Sequence, residues 1–210
     1  MEPLQAGSGI IWVESTESTN SELRRRIGEL DNLSVIAARE QTAGRGQGDH
    51  SWFSSPATNL TFSILFRFGE GFPVTLGSSD AVLVTQITTL AIRDHLLSRG
   101  IGSRIKWPND IWTGDRKICG ILIENSSMGG MVSSSIVGIG LNVNETGWPA
   151  GLPNPVSMRE LSGKVYNLDE ELRALAGRLR SRYEEAASPE GRRRLDEKFS
   201  LNVFRLPSKP

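Results

Sequence analysis

The sequence predicts an α+β fold, with a mixed, largely antiparallel sheet packed by helices. Three observations predict it. Strand-like patterns fill most of the first two thirds of the chain and helical patterns close it, an order that argues for packed layers and against a regularly alternating parallel sheet. Thr113-Gly114-Asp115 is a turn signal between two short strand patterns, which makes those neighbours antiparallel. At 210 residues, without internal repeats, the chain suits one sizeable core, and a single domain is expected over residues 1–210 with its core at about 10–200.

The elements follow in order. Gly9-Ile10-Ile11-Trp12-Val13 reads as a first strand. After a polar stretch, Thr19-Asn20-Ser21-Glu22 has the form of a capping box opening a helix with Leu23, Ile27 and Leu30 on one face. Residues 34–41 form a second strand pattern. Leu60, Phe62, Ile64 and Phe66 alternate with Thr61, Ser63 and Leu65, predicting a strand with one face in the core. Apolar spacing over residues 80–98 is helical, with Gly100 as its stop. Residues 104–107 and 111–112 are short strand pieces around Pro108-Asn109-Asp110, whose proline cannot donate to a central ladder. The return strand runs over residues 117–124, and the Ser- and Gly-rich residues 126–135 predict a mobile connection. Residues 136–141 are strand, closed by Asn142 and Asn144. Beyond a loop at residues 147–155, Leu172, Leu175, Leu179 and Tyr183 mark an amphipathic helix, and Ser188-Pro189 opens another with Leu195 and Phe199 facing inward.

Composition removes several classes of function. Lys plus Arg and Asp plus Glu both number 24, so the electrostatic footprint of a nucleic-acid binder is missing and no nucleic-acid partner is expected. The single cysteine, Cys119, allows no internal disulfide and suits a reducing compartment; its neighbours Ile118, Ile121 and Ile123 predict a core thiol. No apolar run reaches bilayer length and Met1-Glu2-Pro3 lacks the start of a leader, so a soluble cytoplasmic protein with no membrane partner is expected. His50 and His95 are too isolated to argue for a metal site or a catalytic base.

Chemistry concentrates in two segments. Gly44-Arg45-Gly46, followed by Trp52, sets a guanidinium between residues without side chains, so backbone can close around a ligand while Arg45 offers a fork to phosphate or carboxylate. Lys106-Trp107-Pro108-Asn109-Asp110, followed by Arg116-Lys117-Ile118-Cys119-Gly120, places two lysines and a carboxylate on a strand, tight turn and strand. Taken singly, each has an ordinary reading: a turn with an exposed arginine, solvated strand lysines, an asparagine closing a strand, a Ser18-Thr19-Asn20 helix start. Together they suit chemistry in which negative charge is held, shifted and released.

At these residues the chain resembles the catalytic domain of biotin protein ligases, from about Trp12 to about Asn144. The motifs fall in the family's order: Ser18-Thr19-Asn20, Gln41 to Gly46, Trp52, Lys106 to Asp110, Arg116-Lys117 to Glu124, and Gly138-Ile139-Gly140-Leu141-Asn142. The resemblance implies the catalytic core shared with class II aminoacyl-tRNA synthetases. It also implies activation of biotin with ATP as biotinyl-5′-AMP, then transfer to a lysine of a biotin carboxyl carrier protein. Biotin would be held by Ser18, Thr19, Asn20, Gln41, Gly44, Arg45, Gly46, Gln47, Trp107, Lys117 and Gly120. ATP would meet Arg45, Trp52 (as a stacking surface), Lys106, Asn109 and Asn142. Arg45, Lys117 and Asp110 would be catalytic, with Asp110 the anchor for Mg2+.

Gln47 stands where many family members carry a second arginine, which implies looser retention of the adenylate. No winged-helix segment precedes Trp12 and the chain stops at Pro210, so a ligase that does not repress transcription and has an absent or truncated C-terminal β-barrel is expected. A homodimer stays open. A lipoate or octanoate ligase or transferase, and a non-catalytic biotin-binding module, are the alternatives.

Overall fold

The computed structural model describes residues 9–204; the readings at Met1-Glu2-Pro3 and at Pro210 lie outside the described residues. Eight strands make one sheet: β1 (Ile10–Thr16), β2 (Val35–Gln41), β3 (Leu60–Arg67), β4 (Arg104–Lys106), β5 (Asp110–Thr113), β6 (Arg116–Met128), β7 (Met131–Leu141) and β8 (Val203–Phe204). Their order is β1-β2-β3-β7-β6-β5-β4-β8. Only β1 with β2 and β4 with β8 pair in parallel, so the sheet is mixed and largely antiparallel, as expected. The helices are α1 (Thr19–Arg25), α2 (Val82–Ser98), α3 (Met158–Ser162), α4 (Leu168–Glu185) and α5 (Pro189–Asn202).

The two sheet faces are unequally covered. On one, α2, α4 and α5 build the main core, with Phe62, Phe66, Leu90, Leu175, Leu179 and Tyr183 fully buried or nearly so. The Tyr183 ring stacks on Phe66 with centroids 5.4 Å apart, and its hydroxyl donates to Arg67 O. On the other face, α1 sets Leu23 on Ile36, Leu65 and Ile136 in a smaller cluster. Polar side chains begin the late helices. Asn167 accepts from Asp169 N and Glu170 N to cap α4, and Ser188 accepts from Gly191 N at 3.0 Å to cap α5, whose first residue is Pro189.

Four expectations are corrected. α1 starts from Ser18 with no side-chain cap and no capping box, because Gln41 Oε1 takes the Thr19 N–H at 2.8 Å and the Thr19 hydroxyl lies 2.7 Å from Ser63 Oγ. It also stops at Arg25, so Ile27 belongs to a following 3-10 turn. β3 is buried on both faces, its polar residues included: Thr61 donates to Ala38 O, and Ser63 Oγ lies 2.5 Å from Asn20 Oδ1. Residues 126–135 are no mobile connection. β6 and β7 continue through them as one hairpin turned at Gly129 and Gly130, both at positive φ, and β3 extends the ladder to Ser134.

The isolated His95 is a buried helix-helix group. Its Nε2 lies 2.8 Å from Glu171 Oε2, and Arg99 Nε donates to both Glu171 oxygens at 3.1 and 3.0 Å. Burial lowers the His95 pKa from 6.5 to about 4; the Glu171 charge pulls it up, and Arg99 and Arg178 push it down. Because the unfolded imidazole takes a proton at higher pH than the folded one, this contribution is complete above about pH 6.5 and lost as pH falls through 4. Urea unfolding of the wild type should therefore lose stability over that window, with His95 contributing at most about 1.4 kcal/mol per pH unit. His95→Gln should flatten the slope; an equal slope in both proteins would assign the loss to other groups.

Candidate active site

Residues alternate between faces along a strand, so Ile136, Gly138 and Gly140 of β7 share the face that carries Ile36 and Leu65. α1 covers the Ile136 end. At the other end Gly138 and Gly140, with Gly120 opposite Gly140 on β6, take side chains away from the sheet surface. The result is a cavity of about 570 Å3 floored by backbone and walled by the loops at the strand ends.

One end of the cavity is neutral and hydrogen-bonding. Ser18, Thr19 and Asn20 reach it from the start of α1 and Gln41 from the end of β2. Asn20 packs over Gly138, where a Cβ would fall 2.5 Å from its Oδ1, and its Nδ2 donates to Glu124 Oε2 at 2.7 Å and Leu122 O at 3.4 Å. With Gln41 Oε1 engaged by Thr19 N, the Gln41 Nε2 is the amide group left to donate.

The other end is charged. Lys117 Nζ lies 2.8 Å from Asp110 Oδ1, and Lys106 Nζ sits 4.2 Å from the centroid of the Trp112 ring. Lys117 is also fixed through its backbone: its N donates to Asn154 O at 2.8 Å, and its O accepts from Val156 N at 3.0 Å and Asn142 Nδ2 at 3.4 Å. Asn142 Nδ2 donates to Val156 O as well, while its Oδ1 is buried with no donor from the described residues. Asn109 donates to Ile121 O at 2.6 Å and so holds the β4–β5 turn against β6.

Gly44-Arg45-Gly46 forms a small hairpin with the residues up to Trp52. Trp52 N donates to Gly44 O at 2.8 Å and Gly46 N to His50 O at 2.7 Å, with Gln47 and Gly48 near the tip. The hairpin brings the Trp52 indole down on the glycine floor: a Cβ on Gly140 would fall 2.3 Å from the ring, and one on Gly120 would fall 2.7 Å from it. Arg45 Nη2 lies 3.5 Å from Glu124 Oε1 and 3.5 Å from Ser21 Oγ. Arg45 and Lys117, expected together on one ligand, thus rest on separate carboxylates.

Of the residues expected from sequence, Ser18, Thr19, Asn20, Gln41, Arg45, Gly46, Gln47, Trp52, Lys106, Trp107, Asn109, Asp110, Lys117, Gly120 and Asn142 line this one cavity. Gly44 does not; it is the close-approach point of the hairpin, 2.5 Å separating Trp52 O from where its Cβ would be. Sequence reasoning missed the strap that carries Trp148, Leu152, Pro153 and Pro155 along the cavity beside Lys117. A tryptophan and a leucine in a proline-rich loop were the available signal. Cys119 is buried, and burial pushes its thiol well above the ordinary range against the weaker pull of Lys117, which gives no thiolate. Among the described residues no group of three or more His, Cys, Asp or Glu could hold a metal ion, and no helix is long and apolar enough to cross a membrane.

The sequence model of the biotin/lipoate A/B protein ligase family matches residues 12–142. The chain is 33% identical over 140 residues to the bifunctional ligase/repressor BirA of Escherichia coli (strain K12), covering 65% of this chain and 41% of that protein. It is 35% identical over 170 residues to the biotin–[acetyl-CoA-carboxylase] ligase of Paracoccus denitrificans, covering 77% of this chain and 67% of that one. It therefore spans well under half of the first relative and about two thirds of the second. The fold is similar to biotin protein ligase from Aquifex aeolicus in complex with biotin and ATP, at a TM-score of 0.76 and 24% identity over 93% of this chain and 78% of that one. It is also similar to the Leishmania major biotin protein ligase in complex with biotin, at 0.73 and 24% over 98% and 88%.

Proposed function

The chain belongs to the biotin/lipoate A/B protein ligase family, and from that premise we propose that it activates biotin with ATP as biotinyl-5′-AMP and transfers the biotinyl group to a lysine of a biotin carboxyl carrier protein. The observation that carries this reading is one cavity with a neutral hydrogen-bonding end and a cationic end. Biotin has that polarity: a ureido ring with two N–H donors and one carbonyl, then an aliphatic chain ending in carboxylate. The ring fits Ser18, Thr19 and Gln41, with Gln41 Nε2 the donor for the ureido carbonyl. The carboxylate end falls to Lys117 and Arg45.

In the first step a carboxylate oxygen attacks the α-phosphorus of ATP, forming the acyl–phosphate bond as the bond to the β-phosphate oxygen breaks and pyrophosphate leaves. Two anions must meet, so Lys117 offsets their repulsion and then holds charge on the phosphoryl oxygens. Asp110, a carboxylate in the cavity wall, would hold a magnesium ion brought with ATP, and that ion would supply neutralisation of phosphate charge. The free Asn142 Oδ1 is an acceptor for the adenine amino group. In the second step the carrier amine attacks the mixed anhydride at its carbonyl, an amide forms and AMP leaves. A transferase route through an acyl-cysteine finds no support, because the Cys119 thiol is buried and not ionised.

The test is mass spectrometry of an apo carrier domain after incubation with the protein, ATP, magnesium and either biotin or lipoate. A mass gain with biotin alone is expected; a gain with lipoate alone would overturn the assignment. In the same reading, Thr19→Ala and Gln41→Ala should each weaken biotin binding by about 1 kcal/mol, through ligand groups left unpaired. Calorimetric titration measures this, and wild-type affinity in both would place the ring elsewhere.

A further inference from the structure

Glu124 does not line the cavity, yet it holds three groups at its edge. Its Oε1 lies 3.5 Å from Arg45 Nη2; its Oε2 accepts from Asn20 Nδ2 at 2.7 Å and pairs with Arg24 Nη2 at 2.9 Å. Arg24 sits in the last turn of α1, does not line the cavity, has 53% of its side chain exposed, and has no place in the chemistry above. The arrangement is two arginines on one carboxylate.

Charge counting gives it a meaning. Lys117 and Asp110 cancel, so Arg24–Glu124–Arg45, with two cations against one anion, supplies surplus positive charge at the cavity edge beside that of Lys106. The shorter contact is the one to Arg24. Glu124 is thereby partly satisfied by Arg24 and holds Arg45 loosely, through a single nitrogen at 3.5 Å. The other guanidinium donors of Arg45 stay open. Without Arg24 the carboxylate would have Arg45 as its sole cation among the described residues, draw it closer and cancel its charge.

We propose that Glu124 is the resting counter-ion of Arg45 and that Arg24, by sharing this carboxylate, keeps Arg45 available to an anionic ligand. Both act through Arg45 and are positioning residues. The size of the effect rests on the biotin reading; the charge relay does not.

Two readouts separate the proposal from that reading. The first uses the protein alone: phenylglyoxal modification, with Arg45 followed by peptide mass spectrometry. Arg24→Gln should slow modification of Arg45, because Glu124 then pairs with it fully. Arg24→Gln/Glu124→Gln should restore it to the wild-type rate or above, the glutamine still accepting from Asn20. The second readout is calorimetric binding of biotin and of biotin amide, which lacks the negative charge. Arg24→Gln should weaken biotin binding about two- to fivefold at low salt, the range of an exposed ion pair, and leave biotin amide unchanged. The double variant should recover biotin affinity. A purely structural role for Arg24 predicts that the double variant is worse than the single one and that both ligands suffer alike. That result, or unchanged Arg45 reactivity in Arg24→Gln, overturns the relay. Wild type that binds neither ligand while Arg45 reactivity shifts as described would overturn the biotin reading and uphold the relay.

Discussion

Lys117→Ala is expected to slow pyrophosphate release at saturating biotin and ATP by about two to three orders of magnitude, the scale for losing one preorganised charge at a transition state. Biotin affinity should change by far less. On the proposed reading Lys117 acts on the moving phosphoryl group: its backbone N and O are both bonded to the 154–156 strap, and its ammonium stands at the cavity wall, 2.8 Å from Asp110. An interaction that strengthens as charge builds shows in the rate more than in ground-state binding. The single variant also leaves Asp110 without its cation, facing phosphate oxygens. Lys117→Ala/Asp110→Asn removes that repulsion together with the carboxylate proposed for magnesium, so a smaller loss than in Lys117→Ala would trace part of the defect to the bare carboxylate. Stopped-time assays of pyrophosphate, with calorimetry for biotin, measure both quantities. An unchanged rate in Lys117→Ala would take the residue out of the mechanism.

Gly140→Ala is the second large effect. A methyl group there would lie 2.3–2.6 Å from three atoms of the Trp52 indole, inside any permitted contact. The ring must leave its seat, and the hairpin moves with it because Trp52 N is bonded to Gly44 O. Overpacking of this kind costs about 1–3 kcal/mol, so adenylate formation should fall by roughly one to two orders of magnitude. Gly28→Ala is the control: nothing lies within 4 Å of its added Cβ, and its activity should match the wild type. If Gly140→Ala is as active as Gly28→Ala, the indole has no fixed place on the floor. Fluorescence of Trp52, isolated by phenylalanine at the other tryptophans, reports its exposure independently.

The late helices were legible from sequence because local signals agree: Leu172, Leu175, Leu179 and Tyr183 repeat at helical period, and Ser188-Pro189 opens the helix that Ser188 caps. β3 misled through a correct pattern wrongly interpreted. Its alternation of apolar with polar residues is real, but Thr61 and Ser63 are polar because they bond Ala38 O and the start of α1, not because they meet water. The residues read as a mobile connection have loop composition, yet nonlocal pairing with β3 and β7 keeps them in the sheet; the Gly129-Gly130 pair was the hairpin signal. Most candidate site residues were found through motif resemblance. The strap was not, and Glu124, though it ends the motif that begins at Arg116, was given no role, since one acts through backbone bonds to β6 and the other from behind Arg45.

The two cations are mounted on materials of different stiffness. Lys117 stands near the start of β6, its main-chain N and O both bonded to the 154–156 strap, whereas Arg45 rides a hairpin with two backbone rungs to its own return strand. The Lys117 side of the site therefore belongs to β6 and its strap, and the hairpin tip can change without disturbing it. Substitutions at Gln47, Asp49 and His50 are open routes by which descendants of this chain could change what they admit or how long they keep it. Evolution of preference and conservation of chemistry fall on separate pieces of backbone.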